Sequence, residues 1–296
     1  MNLKGRKCAL CKNGISGKKG EHVLPLWFIN RVIPKNSEAG DVYTVYKNGD
    51  AMIESESGEV VAREKFYETQ LPCCAVCNGE LNTRFENPMG GIGYESVASL
   101  RHFTSDEAVV LGEWWLKTLL LVTHPEATEL SVDGESTGAG VISWPLMPEA
   151  FFKWMTEGTA APNGLSVYIY NVDRSAENAT PAIFPIPDVH ANNGSYPSYE
   201  AAVEFEKVGL IITFHPGWSF DLPGVQEGKL ARLWPHTGEL DLSALTPVPR
   251  SPIDFYGLQL TISGDFEPAG GIPAGSEADI RDNTPDLIHV AVKTRV

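Results

Sequence analysis

The segment Gly20-Glu21-His22-Val23-Leu24-Pro25-Leu26-Trp27 lies between two cysteine pairs, Cys8-Ala9-Leu10-Cys11 and Cys74-Ala75-Val76-Cys77. A two-residue gap turns the chain tightly enough to aim both sulfurs at one point about 2.3 Å away, so two such knuckles supply the four thiolates of a tetrahedral zinc site. The spacing assigns Cys8, Cys11, Cys74 and Cys77 to one structural zinc. Cys73, the fifth cysteine, is an alternative ligand to Cys74, although Cys74 gives the better gap.

Between the knuckles, GEHVLPLW places an acid and a histidine before a proline, and CAVCN places an asparagine directly after the second pair. Together these resemble the zinc-knuckle form of the HNH endonuclease family, over the N-terminal third of the chain only. The resemblance implies a ββα-metal fold, in which a two-stranded ribbon and a helix hold one catalytic divalent ion and the knuckles staple ribbon to helix. By that resemblance Glu21 is a ligand of the ion, His22 activates the attacking water, and Asn78 stands where the family has its final histidine. The family's middle asparagine falls where this chain has Thr69 and Gln70, a departure from the pattern. The implied substrate is DNA, duplex DNA ahead of RNA, and the implied setting is a mobile element or anti-phage defence.

The residues themselves extend this picture. If NGELNTRFE is helical, Asn78, Asn82 and Glu86 stand at i, i+4 and i+8 and share one face. Amide and carboxylate oxygens suit magnesium or manganese, whereas thiolates suit zinc. Two chemically distinct metal sites are therefore expected, with Glu21, Asn78, Asn82 and Glu86 as the candidate ligands of the catalytic ion. A plainer alternative stands beside it: Asn78 caps a helix, the knuckles are only a staple, and the chain is a zinc-stapled nucleic-acid-binding or adaptor protein with a degenerate nuclease site.

Charge narrows the function classes. A formal net charge of −15 argues against a protein that coats nucleic acid over its whole surface. The first 35 residues nevertheless carry eight Lys and Arg (Lys4, Arg6, Lys7, Lys12, Lys18, Lys19, Arg31, Lys35) against Glu21 alone. A basic segment around the candidate site is what local phosphate contact requires. No apolar run reaches the length of a membrane span, and the N-terminus lacks a signal-peptide core. Cysteines gathered in knuckles imply a reducing compartment, so a cytoplasmic protein with no membrane partner is expected.

At 296 residues the chain exceeds the usual size of one core. The expected division is an HNH-like domain over 1–100, with a β-hairpin insertion at about 36–70, and a second domain over 101–296. Within the insertion, turns at Lys47–Asp50 and Ser57-Gly58 separate alternating strand-like runs. Met89-Gly90-Gly91-Ile92-Gly93 is expected to be a linker, because no strand precedes it and no Gly-Lys-Ser/Thr follows. Next, TSDEAVVLGEWWLKTLLLVTH carries a Thr104 or Ser105 cap, acids in its first turn and an apolar body, the strongest helix signal in the chain. Trp114, Trp115, Leu119 and Val122 are expected in the core, Lys117 as a snorkelling lysine, and His102 and His124 as caps or surface groups. From Pro125 onward, runs such as SVYIYNV, PAIFPIP, AVEFEKVGLIITF, KLARLWP, DFYGLQLTISG and LIHVAVK predict a mostly β domain packed on the Trp-rich helix, giving α+β overall. This half carries no nucleophile triad, P-loop or dinucleotide fingerprint. By position it is open to three roles: recognising a substrate, binding a protein partner, or holding the nuclease inactive.

Overall fold

In a computed structural model of the chain, the described residues are 5–17, 20–28, 42–47, 50–51, 70–124, 126, 131–132, 135–136, 147, 149–159, 164–173, 189–191, 194–196, 199–205, 207–214, 222–248 and 288–293. They form an α+β structure. Strand β1 (Glu21–His22) opens it and is followed by a helical turn at 26–28. Strands β2 (Val42–Lys47) and β3 (Asp50–Ala51) pair as a hairpin, Lys47 opposite Asp50, as the turn chemistry between them predicts. The expected Ser57-Gly58 turn lies outside the described residues. Strand β4 (Gln70–Leu71) then returns antiparallel to β1, with Glu21 opposite Leu71 and His22 opposite Gln70.

The second knuckle starts a helical run. Helix α1 (Ala75–Leu81) is capped by Cys74, whose sulfur accepts the Cys77 N–H. It continues without a break into a π-turn (Asn82–Glu86) and helix α2 (Asn87–Ile92), which carries Pro88 near its start. The linker expected over Met89–Gly93 is thus helical as far as Ile92. Met89 is fully buried, and that tertiary anchor overrides the weak helix propensity of two glycines. Gly93, at φ +90, ends the helix in a conformation open to glycine, and a 3-10 turn (Tyr94–Ala98) follows.

Strand β5 (His102–Phe103) leads into helix α3 (Ser105–Val122), the helix predicted from the sequence. Its capping box is complete: Thr104 accepts from the Glu107 N–H while Glu107 accepts from the Thr104 N–H. Trp114, Trp115, Leu119 and Val122 are buried, as expected. Lys117 does not snorkel. It is 1% exposed, held inside the protein by Glu86.

The remaining elements are the hairpin β6 (Ser131–Val132) and β7 (Glu135–Ser136), helix α4 (Glu149–Glu157), β8 (Leu165–Asn171), the hairpin β9 (Val189–Ala191) and β10 (Gly194–Tyr196), β11 (Tyr199–Phe205), β12 (Val208–Phe214), a short α5 (Pro223–Gln226), β13 (Leu230–Trp234), β14 (Leu240–Asp241) and β15 (Ile288–Lys293). Four strands form an antiparallel sheet in the order β11-β12-β8-β13. Strand β8, inside that sheet, is almost continuously apolar because both of its faces are covered. Leu165, Val167 and Ile169 enter the main core beneath α3, while Tyr168, Tyr170 and Val172 enter a second cluster with Ile211, Leu222, Leu230 and Val248. Strand β14 pairs with β5 and β15 with β2. The runs PAIFPIP and DFYGLQLTISG lie outside the described residues.

One hydrophobic core runs from Cys8 in the first knuckle through Trp114 to Leu245. It crosses residue 100 without a break in packing. Helix α3 is the common wall, with the π-turn and α2 on one side and β8 and β13 on the other. Gly112 makes that approach possible: a Cβ there would lie 2.5 Å from the Leu233 carbonyl oxygen. No helix among the described residues is long and apolar enough to cross a membrane.

Candidate metal centre

The first knuckle is a tight hairpin. The Cys8 N–H donates to Asn13 O at 2.7 Å and the Lys12 N–H to Cys8 O at 2.9 Å, with Lys12 in the left-handed region at φ 63. The Lys12 ammonium donates back to Ala9 O at 2.8 Å and pairs with Glu126 at 3.3 Å. Two bonds dock this hairpin on the second knuckle: Ala9 N–H to Pro72 O at 2.7 Å and Cys74 N–H to Cys8 Sγ at 3.4 Å.

The result is a group of four sulfurs, from Cys8, Cys11, Cys74 and Cys77, all within 4.8 Å of one another. Cys11 and Cys74 are 3.6 Å apart. A tetrahedron with bonds of about 2.3 Å has edges of about 3.8 Å, so both spacing and donor chemistry fit zinc. Cys73 stays outside the group, as the two-residue gap of Cys74 implies. Its thiol hydrogen-bonds to Cys8, which pushes the Cys8 thiol down to about 3 and Cys73 itself up. Burial pushes the Cys11 and Cys77 thiols up. An ion binding here must displace those protons, so affinity for zinc falls as pH falls.

A second centre lies behind β1. The Glu86 carboxylate accepts from Lys117 Nζ at 2.5 Å on Oε1, and from the indole N–H groups of Trp27 and Trp114 at 2.6 and 3.1 Å on Oε2. Glu21, 8% exposed, is within electrostatic reach of both charges. Burial pushes its carboxyl up to about 7; Lys117 opposes that rise and the Glu86 charge adds to it. Aromatic rings wall the pair: the Trp27 ring lies tilted against Tyr94 at 4.4 Å and against Trp114 at 5.2 Å between centroids. The sequence reading missed Lys117, Trp27 and Trp114 as polar partners. The available signal was Lys117, a cation inside the apolar body of α3, where the other charge is Glu113.

The oxygen face expected over Asn78, Asn82 and Glu86 is not assembled. Asn82 donates to Asn78 at 2.8 Å on an exposed surface, as i, i+4 spacing requires. The π-turn then intervenes, and its i→i+5 bonding changes the rotation per residue, so Glu86 turns into the core and is 6% exposed. Glu21 faces that same interior, while His22, the next residue of the strand, is half-buried. His124 is also inside. It is 2% exposed, its Nδ1 accepts the Glu126 N–H at 2.9 Å, and burial, helped by Lys12, pushes it down to about 4. The expectation of a cap or surface histidine holds for His102, exposed and 3.5 Å from Glu239, but not for His124.

Of the basic segment, Lys7 and Lys12 are exposed and Arg6 is half-exposed. Lys4, Lys18, Lys19, Arg31 and Lys35 lie outside the described residues, as does Thr69. Comparison of the chain with family models, with curated proteins and with solved structures found no significant match.

Proposed function

We propose that the chain is an HNH-type endonuclease that cuts a phosphodiester bond of DNA, with His22 as general base. The observation that supports this most is the ribbon–helix unit: β1 and β4 pair antiparallel, β4 leads directly into the capped α1, and four clustered thiols tie both to the first knuckle. In this reading His22 takes a proton from water as its oxygen attacks phosphorus, and the bond to the leaving oxygen breaks. A magnesium or manganese ion, if bound on the surface at Asn78 and Asn82, would supply neutralisation of charge on that oxygen. The four-oxygen ligand set read from the sequence does not fit such an ion, because Glu86 is saturated by Lys117 and two indoles and Glu21 faces them. Asn78 and Asn82 are the members that remain on the surface.

Supercoiled plasmid incubated with zinc-loaded protein and manganese or magnesium tests the proposal. Wild-type protein should nick it, and His22→Ala should lower the rate by at least about 100-fold with zinc content unchanged. Nicking by His22→Ala at the wild-type rate would refute the assignment.

A second reading is favoured by one observation, the commitment of both Glu21 and Glu86 to a buried ion-pair cluster. In it the unit is a zinc-stapled nucleic-acid-binding module. It retards DNA in a gel and never nicks it.

A further inference from the structure

The carboxylates that the sequence offers to a catalytic ion already have a cation. Lys117, 1% exposed, stands 2.5 Å from Glu86, and the two indoles occupy the other carboxylate oxygen. A divalent ion at Glu86 would have to displace the ammonium or share a buried pocket with it, and like charges at such range repel strongly where water is excluded. Glu21 adds a second buried carboxyl within reach of the same ammonium. It also belongs to a two-residue strand whose other member is His22. Consecutive strand residues face opposite ways, so whatever holds Glu21 inward sets the face on which His22 is presented.

We propose that Lys117 is the resident cation of this pocket: its ammonium, in place of a divalent ion, balances Glu86 and holds the buried Glu21 carboxyl inward, and through Glu21 it orients His22. The role given to His22 rests on the endonuclease reading; the role of Lys117 as counter-ion does not. Lys117 is then a positioning residue. Any catalytic ion is confined to the solvent side of the ribbon–helix unit, where Asn78 and Asn82 lie.

Two measurements on full-length, zinc-loaded protein decide this without an activity assay. In a manganese titration followed by electron paramagnetic resonance, wild type and Glu86→Gln should bind the ion with affinities within about twofold, or neither should bind it. Weakening of tenfold or more in Glu86→Gln would make Glu86 a metal ligand and overturn the proposal. In the second, the ring signals of His22 are followed by NMR on histidine-labelled protein, assigned with His22→Asn. Lys117→Arg should keep the wild-type signals, because the charge is retained. Lys117→Met should displace them while zinc stoichiometry stays at one. Unmoved His22 signals in folded Lys117→Met would overturn the positioning role. Should Lys117→Met fail to fold, the double variant Lys117→Met/Glu86→Gln, which removes both charges, is judged by the same criterion. A wild-type protein that does not nick plasmid would remove the endonuclease reading and leave the manganese result to decide the counter-ion.

Discussion

Lys117 on α3 and Glu86 at the end of the π-turn form an ion pair 2.5 Å long, 31 residues apart in sequence and buried at both ends. The pair links the knuckle-bearing half of the fold to the helix that carries the sheet. Desolvating two charges is costly, and good geometry with additional donors offsets that cost only while both partners are present. Trp27 and Trp114 are those donors.

Breaking one side of the pair should therefore cost more than removing it whole. Lys117→Met leaves a buried carboxylate without its cation and should destabilise by about 3–5 kcal/mol. The double variant Lys117→Met/Glu86→Leu should recover most of that loss. Urea denaturation of the two single variants and the double variant measures the coupling; additive losses would show that the charges do not support each other.

The zinc centre gives a second expectation. Metal analysis should find one zinc per chain, and X-ray absorption should find four sulfurs around it. Cys8→Ser, Cys11→Ser, Cys74→Ser and Cys77→Ser should each lose the ion, whereas Cys73→Ser should keep it, because Cys73 lies outside the group of four. A chelator should unfold the N-terminal unit, since the thiols join segments more than sixty residues apart. Retention of zinc by Cys74→Ser with loss in Cys73→Ser would reverse the assignment.

What is legible in the sequence divides by range. Knuckle spacing and the Thr104–Glu107 capping box act over a few residues, and both are read directly from the chain. The partner of Glu86 is not, because 31 residues of intervening fold decide it. The π-turn is hidden for another reason. One altered step in the hydrogen-bond ladder leaves residue spacing unchanged yet redirects every side chain after it, so the face drawn through Asn78 and Asn82 stops short of Glu86. His124 escapes a sequence reading because a histidine just past a helix end resembles a surface cap, and only packing against Phe152, at 4.7 Å, encloses it.

Gly112 tests how closely α3 lies on the sheet. In an exposed helix Gly→Ala is stabilising. Here the added methyl would meet a backbone carbonyl, Leu233 O, which cannot swing aside as a side chain would. Gly112→Ala should destabilise by about 1–3 kcal/mol, the range for overpacking a close contact. Thermal melting at fixed zinc concentration reads it. An unchanged or higher melting temperature would mean that α3 and β13 are further apart than 2.5 Å at that point allows.

Glu21 predicts an unusual pH dependence. Burial, with the negative charge of Glu86, raises its carboxyl from 4.5 to about 7. A raised acid binds its proton more tightly folded than unfolded, so its contribution to stability is fully present below about pH 4.5 and is lost as pH rises through about 7. The shift corresponds to something on the order of 3 kcal/mol. His124 acts in the opposite direction: held down to about 4 by burial, it withdraws stability as pH falls from 6.5 toward 4. Zinc loss in acid adds to that limb. The Glu21 effect is isolated by comparing wild type with Glu21→Gln between about pH 6.5 and pH 9, above the acid limb of His124. Wild type should lose stability toward about pH 8 and level off, while Glu21→Gln should stay flat and be the more stable protein above that point. Parallel curves for the two proteins would show that the Glu21 carboxyl is ionised throughout this range and that Lys117 outweighs its burial.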